Sequence, residues 1–427
     1  MIAPNNWQIL LIKDIGKVVT GRTPPTIVSD YFGDDYPFIT PSDMKGDKII
    51  SSPERGLSSQ GAALLVNNYL PPKSIAVSCI GWQMGKVAKI TRSSFTNQQI
   101  NTIIPHTDVE PDFIYYSLCT RREELKALGS VGTRTPILIK STFENIQIPI
   151  PPLPIQRKIA AILSAYDDLI ENNTRRIAIL EEMAQSLYRE WLVHFRFPGH
   201  EKNGMVKSAL GLIPEGWEVV KLGDVSSFIS RGISPRYDNT SESLVINQRC
   251  IRDGKLSMEQ SRRHLTKVSN EKLVRFGDVL VNSTGIGTLG RVAQIYQDIP
   301  NCTVDSHVTI VRPGDKVVID YFGFYVLGLQ SYFDSLGVGS TGQTELNRES
   351  IANTSLVLPP KELQEAFATL VYSMRRNIIL MLAKNANLRK TRDLLLPKLI
   401  SGEVDAERLE IAGVDETGEV ETKAIEV

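Results

Sequence analysis

Two textures alternate along the chain. From residue 1 to about 150, and again from about 210 to 358, short β-branched runs such as "SIAVSCI" and "DVLVNST" are cut by Gly, Pro, Asn and Asp. That spacing predicts irregular, β-rich globular domains. A few helices are expected inside them, for example over "DFIYYSLCTRREELKAL". Behind each domain, at about 153–193 and 361–400, Pro and Gly are missing until the ends, and each stretch predicts a long helix.

Alternating steps of four and three from Ile155 reach Ile159, Ile162, Tyr166, Leu169, Asn173, Arg176, Leu180, Met183, Leu187 and Trp191. The same steps from Leu363 reach Phe367, Leu370, Met374, Asn377, Met381, Lys384, Leu388, Thr391, Leu395 and Leu399. Both series are largely apolar with a few polar interruptions, the pattern of a coiled-coil seam.

The second half paraphrases the first at an offset of about 208 residues. "NNWQILLIKDIGKVVTGRTP" returns as "EGWEVVKLGDVSSFISRGISP", which sets Trp7 over Trp217 and Asp14 over Asp224. "KSIAVSCIGWQMGKVAKI" returns as "GDVLVNSTGIGTLGRVAQI", and "LGSVGTRTPIL" as "LGVGSTGQTEL". The junction "PPLPIQRKIAAIL" from Pro151 returns as "PPKELQEAFATLV" from Pro359, with Gln156 over Gln364. The order never changes.

Connectivity sets the direction of the helices. The first helix hands over to the second domain through "FPGHEKNGMVKSALGLIPEG", which suffices if the helices are antiparallel. A parallel pair would send the chain back along about 60 Å of helix. The expected fold class is therefore α+β: two β-rich domains at opposite ends of an antiparallel two-helix spacer, an internal tandem repeat with pseudo-twofold symmetry. Its boundaries fall at 1–150, 151–195 (first helix), 196–215 (linker), 216–358, 359–402 (second helix) and 403–427 (tail). By the same symmetry, the chain's start should lie near the end of the second helix.

Hydrophobic content of 42% and charged content of 22% over 427 residues fit a soluble globular protein. No stretch approaches the ~18 apolar residues of a membrane span, and "MIAPNNWQIL" lacks an export signal, so the default address is cytoplasmic. Net charge is zero, but from Ser401 onward nine acids face Arg408 and Lys423, which leaves residues 1–400 at +7. The acidic tail reads as a solvated, disordered end, and the folded part as mildly basic.

Catalytic signatures are missing. Cys79, Cys119, Cys250 and Cys302 are far apart without metal-ligand spacing, and the five histidines are scattered, so no metal is expected. "GIGTLG" at 285–290 fits G-x-G-x-x-G but leads into a strand, and "GWQMGK" ending at Lys86 is one residue short of a P-loop. A glycine-bounded hairpin accounts for both, and no cofactor is expected. Asp167 and Asp168 sit on the helix, where a solvated face is the ordinary explanation.

The repeat and its junctions resemble the specificity subunit of type I restriction-modification systems. The resemblance covers nearly the whole chain and rests on "TGRTP" from Thr20, "PFITPSDMKG" from Pro37, "INQRCIRDGKL" from Ile246, both Pro-Pro junctions and "LLLPKLISGEVD" from Leu394. It implies two target-recognition domains, each reading half of a bipartite site in double-stranded DNA. It also implies spacer helices that dock methyltransferase subunits, two by the repeat, and a restriction and translocation subunit that completes the complex.

On that footing Arg22, Gln83, Lys86, Arg92, Gln98 and Arg134 are DNA-binding candidates in the first domain. Arg231, Arg236, Arg249, Arg291, His307 and Gln343 are their counterparts in the second. Arg and Gln suit bidentate contacts to guanine and adenine edges, Lys phosphate. Arg157, Lys158, Glu181, Glu182, Tyr188 and Trp191 are candidates for subunit docking, although Trp191 also fits a cap on the helix core. A scaffold or anti-restriction adaptor that binds methyltransferase subunits without reading sequence stays open as the alternative.

Overall fold

The computed structural model describes residues 6–50, 52–129, 135–338 and 344–409; Arg134 and Gln343 lie outside them. The chain divides into two compact units, residues 1–174 with 382–427, and residues 175–381. No helix among the described residues is long and apolar enough to cross a membrane.

In the first unit a four-stranded antiparallel sheet sets Gly16–Thr20, Ile100–Pro105, Ile75–Ser78 and Val87–Lys89 side by side in that order. Every residue of Ile75–Ser78 is buried, which is why "IAVS" shows no polar alternation. A three-stranded sheet joins Arg55–Leu57, Phe32–Ile39 and Phe95–Thr96, the last pair parallel. Gln8–Leu11 pairs with Gln147–Ile150 and so ties the domain's start to its end.

The second unit repeats this topology. Ser226–Arg231, Val308–Pro313, Val279–Asn282 and Val292–Gln294 form the larger sheet. Arg262–Arg263, Leu244–Ile246 and Cys302–Val304 form the smaller one, and Glu218–Lys221 pairs with Ser355–Leu358. The stretch expected as a plain linker contains a hairpin, Met205–Ser208 with Gly211–Pro214.

Both Pro-Pro junctions work through one glutamine. Gln156 is 2% exposed; its Nε2 donates to Pro151 O at 2.8 Å and its Oε1 accepts from Glu110 N at 2.9 Å. Gln364 is 1% exposed, donates to Pro359 O at 2.8 Å and accepts from Val318 N at 2.9 Å. A buried amide can close both bonds at once because it carries a donor and an acceptor.

The long helices span Leu153–Tyr188 and Lys361–Ser401. In the first unit Asp167 pairs with Arg392, and Asn173 Nδ2 donates to Asn385 Oδ1 at 2.8 Å. In the second, Tyr188 and Trp191 pack on Phe367. Rising numbers on one helix meet falling or earlier numbers on the other, so the pairing is antiparallel. The chain's start joins the second helix's end, as expected: Trp7 and Leu10 pack on the core cluster that holds Leu399 and Ile400.

The inward face differs by residue from the expected seam. Leu169, Arg176, Met183, Leu370, Asn377, Lys384 and Thr391 are exposed, whereas Ile170, Ile177, Ala184, Val371 and Asn385 are buried. From Gln156 to Tyr188, the end of the α-helix, the buried positions Gln156, Ile159, Ala160, Leu163, Ile170, Asn173, Ile177, Ala184 and Tyr188 follow the turn of a straight helix, and Arg189–Val193 then continues as a π-helix. The helix also covers a domain core, where Ile155, Ile159 and Leu163 share one cluster with Phe113 and Leu118, and that demands a broader stripe than a two-helix seam.

Two further expectations are corrected. Asp167 is no solvated carboxylate: it accepts from Tyr116 Oη at 2.6 Å and pairs with Arg392, while Asp168 is exposed. Nor does the chain leave the fold at 403, although the tail from 410 on lies outside the described residues. Gly402, at φ +74°, turns the chain out of the helix, and Ala406 is buried in the first unit's core with Val404 packed beside it.

Candidate nucleic-acid interface

In the first unit, strand register decides which candidates meet. Thr20 lies opposite Asn101, Ser78 opposite Ile100 and Val77 opposite Val87, so the loops after Thr20, after Ser78 and before Ile100 leave one end of the sheet. Arg22, Gln83, Lys86 and Gln98 are on those loops. Arg22 N donates to Thr96 O at 2.9 Å, and Thr23 Oγ1 donates to Gln98 Oε1 at 2.7 Å. Gly21 makes this crossing possible, since a Cβ there would stand 2.2 Å from Asn97 O. Arg22 and Gln98 are both exposed. Arg92 follows Val87–Lys89 and sits at the opposite end, where Ile75 faces Lys89; it does not join them.

The turn at Gly81–Lys86 is braced by its own polar residues. Lys86 Nζ donates to Met44 O at 2.6 Å and to Gln83 Oε1 at 2.7 Å. Burial, with Arg122 adding repulsion, lowers the Lys86 pKa. Lys86 and Gln83, both half-exposed, therefore hold the turn and each other. In the second unit Arg291 donates to Gly287 O at 2.7 Å and fills the same bracing role. Arg231 is committed as well, donating to Leu346 O at 2.9 Å and pairing with Glu345. A long cation near backbone carbonyls gains charge-assisted bonds by folding inward.

The second unit carries a polar groove of about 350 Å³, lined by residues that include Tyr237, Gln248, Arg249, Gln260, Arg262 and His307. Asn247 builds one wall: its Oδ1 accepts from Arg249 N at 2.9 Å and its Nδ2 donates to Gln260 O at 2.6 Å. The Arg262 guanidinium lies 3.3 Å from the Tyr237 ring centroid. His307 Nδ1 is hydrogen-bonded to Thr284 Oγ1 at 2.6 Å. The groove thus offers guanidinium and amide forks suited to base edges. Arg236 is exposed beside Tyr237 but does not line the groove.

Sequence reasoning missed Gln248, Gln260, Arg262 and Tyr237. Their grouping depends on Arg262–Arg263 pairing with Leu244–Val245, a contact without a local signature. The doublet "RR" at 262–263 was the one visible hint.

The docking candidates divide. Tyr188 is 6% exposed, stacked on Phe324 at 5.8 Å, and Trp191 is half-buried against Phe367, so both are core residues of the second unit. Glu181 holds Lys255 at 2.6 Å, Glu182 pairs with Arg189, and Lys158 Nζ donates to Glu407 O at 3.0 Å. Arg157 is half-buried beside Lys158. The helices expose other apolar residues: Ile179, Met183, Tyr372, Ile379 and Leu380. Burial pushes the Cys79 thiol up to about 11 and those of Cys119 and Cys302 up to about 12, which holds all three protonated and unreactive near neutrality.

Comparison with known proteins adds to this geometry. The model of the type I restriction modification DNA specificity domain matches residues 4–182 and 214–390. The MjaIX specificity subunit of a type I restriction enzyme from Methanocaldococcus jannaschii is 30% identical over 421 residues, 95% of each chain. The HindI specificity subunit from Haemophilus influenzae is 38% identical over 176 residues, 40% of this chain and 38% of that one. Among solved structures, the S subunit of a type I restriction-modification system from M. genitalium superposes with a TM-score of 0.59 at 16% identity, over 93% of this chain and 98% of that one, a likeness of fold.

Proposed function

This chain belongs to the type I restriction-modification DNA specificity family, and from that premise we propose that it is the non-catalytic subunit that gives such a complex its DNA target. Each unit reads one half of a bipartite site in double-stranded DNA. One observation carries the reading: a single fold occurs twice, with different polar side chains around the loop end of its larger sheet. Arg22, Thr23 and Gln98 gather there in the first unit, Gln248, Arg249, Gln260, Arg262 and His307 in the second. Two different sets of donors and acceptors select two different half-sites.

The repeat also favours two methyltransferase partners, with a restriction and translocation subunit completing a cytoplasmic assembly. Docking falls on the helices' exposed apolar residues, Ile179, Met183, Ile379 and Leu380, and not on Tyr188 or Trp191, which the second unit's core uses. An adaptor that mimics DNA is not favoured, because residues 1–400 are net basic.

The test is methylation mapping in cells that express this chain with its cognate methyltransferase, against cells with the methyltransferase alone. A new split motif, two specific halves around a fixed unspecified gap, is the expected result. A bound and active partner that yields no motif would leave the scaffold reading in its place.

A further inference from the structure

We propose that Trp82 is an apolar wedge that enters duplex DNA at the half-site read by the first unit, and that Ile286 is its counterpart in the second; this rests on the DNA-reading function above. Trp82 is 97% exposed and Ile286 78% exposed. An isolated surface apolar residue needs no explanation. These two do, because they occupy the same place in both copies of the fold and stand on turns built to hold them outward.

The turns are rigid by construction. Gly81 and Gly85, at φ +77° and +78°, bracket Trp82, as Gly285 and Gly290, at φ +106° and +73°, bracket Ile286. A Cβ at Gly85 would stand 2.8 Å from the Arg122 side chain, and one at Gly290 would stand 2.5 Å from Asp334 N, so each turn is pressed against a helix or its flank. Met84 and Leu289 point inward to the cores, which anchors each tip from below. Lys86 and Arg291 then latch onto carbonyls, so polar residues of the turn are spent on holding it while the apolar residue is left in water. The Ile80 and Ile137 bridge in one unit and the Thr284 and Glu345 bridge in the other pin the base of each turn.

Position supplies the partner. Trp82 leaves the same end of the sheet as Arg22 and Gln98, and Ile286 leaves the end that carries His307, so each tip belongs to the surface that offers donors to bases. A large apolar side chain on a stiff support beside such donors suits insertion at a deformable base step, where unstacking is offset by new contacts. Tryptophan also offers a stacking face to a base.

The experiment uses the full chain bound to its methyltransferase and a duplex of the mapped motif, with 2-aminopurine placed in turn at each step of each half-site. Its fluorescence rises where stacking is broken. The expected result is a rise at one step in one half-site, lost in Trp82→Ala, kept in Trp82→Phe, with affinity for the motif falling about 10- to 100-fold in the alanine variant. Ile286→Ala should change only the other half-site. Wild-type affinity in Trp82→Ala, or an unchanged fluorescence pattern, overturns the wedge. So does loss of methyltransferase binding by Trp82→Ala in the absence of DNA, which would make the tip a protein contact. A wild-type complex without preference for any motif counts instead against the DNA-reading function itself.

Discussion

Asp305 lies on the groove of the second unit, buried, with Oδ1 accepting from His307 N at 2.9 Å. Burial raises its pKa above the ordinary 3.8, against smaller lowering effects of that hydrogen bond and of the His307 charge. Well below pH 3.8 the carboxyl is protonated in the folded and unfolded chain alike, and its ionisation weighs on neither. As pH rises, the unfolded chain ionises first, so stability falls until the pH passes the raised folded value. Asp305→Asn keeps the acceptor and removes the charge. Its unfolding free energy should exceed that of wild type at pH 7, by about 1.4 kcal/mol for each pH unit of the rise, and the difference should close as pH falls below 3.8. An advantage of equal size at pH 7 and pH 4 would count against the argument. Such burial is invisible in sequence, and the same blindness applies to the candidates that bind their own fold's carbonyls. Lys86, Arg231 and Arg291 look like free cations until the carbonyls they bind are known, while Arg22, Gln98 and Arg249 remain exposed.

Elements are governed here by the amide clasp at the start of each long helix. Gln156 and Gln364 were legible as a repeated position but not as a device, because their partners, Glu110 N and Val318 N, are 46 residues away. Replacing either glutamine by leucine leaves a buried donor and a buried acceptor unpaired, each worth about 1–3 kcal/mol. The expected outcome for Gln156→Leu is a less stable first unit with faster hydrogen exchange at Glu110, and for Gln364→Leu the same in the second unit at Val318. Unchanged exchange would mean water replaces the side chain without loss. The helix faces show the limit of periodicity. Steps of four and three drift off a 3.6-residue period over 36 residues, which is why Ile155 and Ile159 were placed correctly and Leu169, Arg176 and Met183 were not.

At the scale of the molecule, the repeat, the antiparallel arms and the family resemblance were legible because they rest on sequence order, which survives without side-chain detail. The groove was not, since it is assembled from strands whose pairing only the fold reveals. Each unit has its own core clusters, one around Phe113 and Phe143, another around Tyr321 and Phe333, so a surface change in one unit should leave the other's core intact. That independence makes a sharp prediction about specificity. Arg249→Ala and Arg262→Ala each remove a guanidinium from the second unit's groove, and a lost bidentate base contact relaxes discrimination by about 1–3 kcal/mol at one position. Methylation mapping of either variant should show one half of the split motif degenerate, with the other half and the gap unchanged. Arg22→Ala or Gln98→Ala should relax the opposite half. A variant whose methylation falls evenly at all sites, with both halves still required, has lost a phosphate contact, and its binding should then depend less steeply on salt. Degeneracy in both halves from a single groove substitution would mean that the units do not read DNA separately.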